Sequence, residues 1–249
     1  VIGDHHLGML SWDKETGEDW DMDIAERMLC DAVDALVGLA PETDEAMIVN
    51  VGDFFHADNY EGTTKSGHAL DVDTRWSRLV RVGIRTMKRC IETALTKHAR
   101  VRVINEIGNH DERTSIMLSL ALLEFYSNDD RVTVDESPSP FHYYRFGKNL
   151  IGVTHGNRVK AADLPGVMAA DRAEDWGATE FRRWITGHVH HDQTKEYRGC
   201  IVETFRTLAA KDAWHHASGY RSGRDMKCLV LHTDHGEILR HTVGVGMLS

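Results

Sequence analysis

The sequence predicts an α/β fold: a parallel β-sheet built by the first half of the chain, with a second sheet packed on it. Three observations carry that expectation. Strand-like apolar runs alternate with helical periodicities as far as Tyr126. From residue 131 onward, short strand-like runs dominate. The 249 residues are 41% hydrophobic, enough to bury a large α/β core.

The elements follow in order. Val1–Gly3 reads as the tail of a first strand. Asp23–Leu39 carries apolar residues at 24, 28, 29, 32, 33, 36 and 37, the spacing of one helix face. Glu45–Val51 is a strand ending at Gly52, and the polar stretch 57–72 is a loop. Asp73–Lys97 is a long helix capped by Asp73 or Thr74. Val80, Ile84, Met87, Ile91 and Leu95 are its expected buried face. Val101–Ile107 is a strand and Ser115–Tyr126 a helix. Short strands are expected at 131–135, 141–146 and 149–154, a helix at 167–176, and a strand over Phe181–Thr186. The C-terminal part adds strands near 193–198, 200–205, 227–233 and 237–243. No repeat, low-complexity tract or linker divides the chain, so a single domain over 1–249 is expected.

Composition narrows the function. No apolar run approaches the ~20 residues of a membrane span, and no basic-plus-apolar leader precedes the fold. Cys30, Cys90, Cys200 and Cys228 are far apart, which opposes a zinc ribbon and a disulfide framework. A reducing cytoplasm is the expected location. The net charge of −10 opposes broad nucleic-acid binding but allows a local basic groove. It also suits a carboxylate-rich site neutralised by cations.

In open α/β sheets, function gathers at the carboxyl ends of strands. The polar clusters fall there. Val1–Gly3 leads into Asp4-His5-His6, strand 45–51 into Gly52-Asp53-Phe54-Phe55-His56, and strand 101–107 into Gly108-Asn109-His110-Asp111. Strand 149–154 ends in His155-Gly156-Asn157, and strand 181–186 in Gly187-His188-Val189-His190. Side by side, these ends would bring about seven nitrogen and oxygen donors together. Such donors suit divalent ions of intermediate hardness, Mn²⁺ or Fe²⁺ ahead of thiolate-preferring zinc. Seven are too many for one open catalytic ion, so two are expected, sharing a carboxylate.

The ordered set D-x-H, GD, GNHD, HG and GHxH resembles the calcineurin-like metallophosphoesterase superfamily and covers the chain from Asp4 to His190. The resemblance implies two packed mixed β-sheets flanked by helices, a four-layer α/β/β/α sandwich. It implies two divalent ions, with Mn²⁺ first and Fe²⁺, Zn²⁺, Ni²⁺ or Mg²⁺ as alternatives. Asp4, His6, Asp53 and His190 would hold one ion; Asp53, Asn109, His155 and His188 would hold the other, with Asp53 bridging. The implied nucleophile is a metal-bridging hydroxide. His110 would contact the phosphate and protonate the leaving oxygen, with Asp111 as an acidic residue orienting it.

Several residues keep two readings. GDFFH is similar to the GDLFH of SbcD-like DNA repair nucleases, so His56 either touches substrate or supports the site. Arg75, Arg78, Arg81, Arg85, Lys88 and Arg89 line one helix face. They could follow a nucleic-acid backbone, with Arg75, Arg78 and Arg85 in contact, or form a solvated face paired with carboxylates, which is favoured. His5, His68, His142, His191, His215 and His216 are expected at the surface or behind the site. Trp214 is expected in the core, with an outer cleft wall as the alternative.

The chain also resembles stand-alone metallophosphoesterases of tailed bacteriophages, through DRAEDWGATEFRRWITGHVHH and ETFRTLAAKDAWHHASGYRSGRDM. Three functions remain in view. The first is a DNA nuclease or exonuclease, with DNA as partner. The second is a phosphodiesterase or phosphatase of small or cyclic nucleotides, and the third a non-catalytic scaffold. Related nucleases dimerise, which places a homodimer among the implied partners. Only 59 residues follow the last motif, so a docked ATPase is not expected; loop 57–72 and residues 206–226 are the candidates for substrate selection.

Overall fold

A computed structural model of the chain describes residues 1–63, 67 and 69–248. Its elements are α1 (Asp13–Thr16), α2 (Met22–Leu39), β1 (Glu45–Asn50), α3 (Trp76–Leu95), β2 (Arg100–Asn105), α4 (Glu112–Phe125) and β3 (Val132–Val134). They continue with β4 (His142–Phe146), β5 (Asn149–Val153), α5 (Leu164–Asp171), α6 (Ala173–Ala178), β6 (Phe181–Thr186), β7 (Gln193–Tyr197) and β8 (Cys200–Thr204). Helix α7 (Ala213–Ala217), β9 (Asp225–His232), β10 (Gly236–Gly244) and a 3₁₀ turn at Val245–Met247 complete the chain.

The first sheet has the order β1-β2-β3 and is parallel throughout, as the strand–helix alternation predicts. The second has the order β4-β5-β6-β8-β7 and is mixed, parallel at its centre and antiparallel at both edges. Alternation along the strands makes the layers. Ile151 and Ile185 face Val49, Val51 and Ile104 of the first sheet. Their neighbours Leu150 and Trp184 face the other way, onto Leu164 and Met168 of α5. The far side of the first sheet, with Val101 and Val103, packs under Leu29, Leu36, Met87 and Ile91 of α2 and α3. The result is a four-layer α/β/β/α arrangement.

Some expectations shift. Val1–Gly3 makes a single parallel bridge, Ile2 to Asn50, rather than a strand. Helix α3 begins at Trp76, because Asp73 turns its carboxylate to accept the N–H of Met22 (3.0 Å). With the Asp21 side chain on Ile24 N–H (2.7 Å), it satisfies donors at the start of α2. The buried face of α3 runs through Leu79, Val82, Thr86, Met87, Cys90 and Ile91, rotated from the expected stripe. The predicted helix at 167–176 is two helices broken at Arg172. Strands β9 and β10 form their own hairpin instead of joining the second sheet. Met226 and Val243 carry it into the core beneath α2. All four cysteines are free. Among the described residues, no helix is long and apolar enough to cross a membrane.

Candidate metal centre

Segments 1–8 and 49–56 run side by side from the end of β1 onward. His6 N–H donates to the Asp53 carbonyl (3.0 Å), and Leu7 N–H to that of Phe54 (2.8 Å). From the second sheet, the His155 ring reaches across to the Val51 carbonyl (2.8 Å). The N–H of His188 donates to both carboxylate oxygens of Asp4 (2.9 and 3.0 Å). The polar ends of both sheets therefore meet in one place.

Two strand-end glycines make that closeness possible. A Cβ on Gly108 would lie 2.0 Å from Asp53 Oδ1, and one on Gly187 2.5 Å from Asp4 Oδ2. No larger residue fits without moving a carboxylate.

The donors fall into three groups, each with its ligand atoms within 4.8 Å of one another: Asp4, His6 and His190; Asp53, His155 and His188; and His6, His56 and His110. The Asn109 side-chain oxygen lies 3.0 Å from His155 Nε2, beside the second group. His155 Nε2 is also 3.2 Å from Asp53 Oδ2. All seven residues expected to ligate are thus brought together.

Their backbone is unusual. Among the described residues, six non-glycines have positive φ, and five are Asp4 (34°), His6 (48°), Asp53 (51°), His188 (72°) and His190 (54°). Each such residue costs roughly 1–3 kcal/mol and persists where its surroundings over-determine it. Among the described residues, positive φ outside glycine is thus concentrated on the donor cluster.

The protonation pattern is divided: several rings stand ready as neutral donors, while Asp4 and His155 hold a proton. Burial, followed by repulsion from His110 and other rings, holds His6 well below the usual imidazole range. Burial likewise lowers His190 and His56 to about 3, and lowers His188. These rings are neutral, the form that binds metal. Burial also opposes charge on His155, but the hydrogen bond and charge of Asp53 overcome it and raise it to about 10. Burial raises Asp53 too, yet the His155 contacts prevail and leave it at about 2. Burial pushes Asp4 up to about 8 despite the nearby His155 charge.

The fit to divalent ions is visible in one contact. His6 Nε2 and His190 Nε2 stand 3.2 Å apart. In the tautomers that leave both nitrogens unprotonated, both lone pairs point into the same space, the arrangement a shared cation needs. All donors are nitrogen or oxygen, a set that divalent first-row ions accept.

His110 stands at the edge of the third group. Its N–H donates to Asp53 Oδ1 (2.7 Å), and its ring Nδ1 bonds the His56 carbonyl (3.0 Å). Asp111 differs from the expectation. Its carboxylate is fully buried and accepts from Gly108 N–H (2.9 Å), Phe55 N–H (3.1 Å) and Ser115 Oγ (2.7 Å). It ties the two donor loops to α4, and the His56 carbonyl, not Asp111, orients the His110 ring. His56 is buried, with Nδ1 3.2 Å from His6 Nδ1 and its ring stacked on His110 at 5.5 Å.

The arginine stripe lies away from this cluster as a paired face. Arg78 meets Asp23 (3.3 Å), Arg85 forms a bidentate pair with Glu26, and Arg89 meets Asp34 (2.8 Å), all on α2. Lys88 sits over the Phe125 ring. Arg75 is exposed at the start of α3.

The remaining histidines and Trp214 fall as follows. His5 is in the core against Trp20 and Phe54. His142 is buried between Glu106 (2.7 Å) and Asp135 (3.2 Å). His215 stacks on His190 at 4.9 Å. Trp214 is 64% exposed, because α7 lies outside the core. His191 is exposed as expected, and His68 lies outside the described residues.

No protein-family model matches the chain. No curated protein matches it either. Among solved structures, it is similar to wild-type Vps29 from Entamoeba histolytica complexed with zinc, at 16% identity over 58% of this chain and 82% of that one, with a TM-score of 0.31. It is also similar to a conserved uncharacterized protein from Streptococcus pneumoniae, described as a predicted phosphoesterase. That match has 10% identity over 80% of this chain and 96% of that one, with a TM-score of 0.30.

Proposed function

We propose that this chain is a phosphoesterase that holds two divalent ions, Mn²⁺ foremost, and hydrolyses phosphodiester bonds, with DNA as the first substrate class. One observation carries the reading: seven nitrogen and oxygen donors converge from four strand ends and the bridged N-terminal segment, five of them on left-handed backbone. The ordered motifs from Asp4 to His190 support it.

Asp4, His6 and His190 would hold one ion, Asn109, His155 and His188 the other, and Asp53 both. Bound there, the ions would neutralise phosphate charge and lower the pKa of water. The chain's own residues do the remaining work. His110 Nδ1–H donates to the His56 carbonyl, which leaves Nε2 to carry the imidazolium's second proton to the leaving oxygen. The bond from His110 N–H to Asp53 fixes that ring beside the donors. Asp111 positions both loops from behind.

The paired arginine stripe favours a second reading, hydrolysis of small nucleotide diesters, because much of the face suited to a DNA backbone is neutralised by α2. The test is metal removal and Mn²⁺ add-back, comparing linear single- and double-stranded DNA with bis-p-nitrophenyl phosphate. Mn²⁺-dependent shortening of DNA, lost in Asp53→Asn, supports the nuclease. Turnover of the small diester with DNA left whole supports the second reading. Two bound ions with no turnover of either would overturn both.

A further inference from the structure

The aromatic cluster beside His190 is not used by the proposed chemistry. His215 stacks on the His190 ring, 4.9 Å between centroids and 23° between planes. Trp214 meets His215 edge-on at 5.0 Å, and Tyr220 meets it edge-on at 5.1 Å. Trp214 and Tyr220 are 5.9 Å apart and tilted by 38°. Asp212 fixes the arrangement, accepting from both the backbone N–H and the ring Nδ1 of His215 (2.7 Å each). Trp214 is 64% exposed and Tyr220 38%. The solvent-facing rings are thus joined to the donor cluster by one anchored imidazole.

Large rings of this kind offer contact area at little conformational cost. Arg221 adds a cation at the rim, where its guanidinium donates to the carbonyls of His216 (3.2 Å) and Tyr220 (2.7 Å). A flat ligand one sugar away from a phosphate, with a further anion near Arg221, matches this layout. We propose that Trp214 and Tyr220 form a stacking platform for a nucleobase, so that the substrates are nucleoside phosphoesters. The phosphate end of this assignment rests on the phosphoesterase reading; the stacking does not.

The test is calorimetric binding of thymidine 5′-monophosphate and of deoxyribose 5-phosphate, with Mn²⁺ present throughout. The wild type should prefer the ligand with the base. Stacking of one base on one aromatic ring predicts that Trp214→Ala weakens thymidine monophosphate binding by about 5- to 150-fold. The loss should be confined to the ligand that carries the base, with Trp214→Phe retaining most of the affinity. Tyr220→Ala should give a smaller loss of the same kind. Equal affinity for the two ligands, or an equal loss of both in Trp214→Ala, would overturn the platform. A tetrathymidylate separates the sources. Tighter binding than the mononucleotide, lost in Trp214→Ala, assigns the platform to a strand; equal binding assigns it to a free nucleotide. Base preference without hydrolysis of any diester would remove the phosphoesterase reading and leave the platform standing. Hydrolysis without base preference would do the reverse.

Discussion

Metal binding should tighten steeply as pH rises, and the slope can be worked from two residues. In the metal-free chain Asp4 titrates at about 8 and His155 at about 10, so both hold a proton at neutral pH. Each must lose it before its lone pair meets a cation. One proton expelled makes the apparent affinity rise about tenfold per pH unit, and two make it about a hundredfold. For the pair of ions, the steeper slope applies below about pH 8; above it only His155 still releases a proton, and about tenfold per unit remains. Calorimetric titration with Mn²⁺ in buffers of different ionisation enthalpy measures both the affinity and the protons released. Release should approach two per ion pair near neutrality. Flat affinity, or no release, would refute the assignment of these residues as ligands. Without metal the sign reverses for stability. Both folded values lie above the ordinary 3.8 and 6.5, so the folded chain binds these protons more tightly than the unfolded chain. Their contribution is lost as pH rises through about 8 and then about 10. The metal-free Tm should therefore fall from neutral toward alkaline pH, while saturating Mn²⁺ removes that fall.

Three substitutions probe other parts of the site. Gly108→Ala places a Cβ 2.0 Å from Asp53 Oδ1, so metal content by elemental analysis and turnover should both collapse; a variant with two ions bound would contradict the close-packing argument. His110→Ala should keep its metal but lose ~10²–10⁴ in rate on a diester with a poor leaving group, and full activity there would remove His110 as the proton donor. Asp111→Ala removes the acceptor of two backbone N–H groups and the Ser115 hydroxyl, and should cost at least ~1–3 kcal/mol by denaturant unfolding; an unchanged midpoint would show that the loops are held by something else.

The donor set was legible because strand ends announce themselves: an apolar run, a glycine, then Asp, Asn or His. That grammar located Asp53, Asn109, His188 and His190 before any coordinates. It could not show which way a side chain turns. Asp111 and His110 are adjacent, yet one carboxylate is buried on Gly108, Phe55 and Ser115 while the other residue's ring bonds the His56 carbonyl. Nor could it show which donor His215 would stand against. That residue sits on a five-residue helix with no strand before it, and only the fold stacks it on His190. Asp73 misled because its carboxylate caps a helix 51 positions earlier in the chain. The buried face of α3 was rotated because its packing partners, not its own periodicity, choose which residues point inward.

The contact between His6 and His190 spans 184 positions. Bringing those rings together closes nearly three quarters of the chain into one loop, and such long-range contacts are slow to form. The centre is therefore complete only once both sheets have docked. An ion bound across it would act as a late latch on that docking and would slow unfolding more than it hastens folding. Metal content would then measure how much of the protein has finished folding.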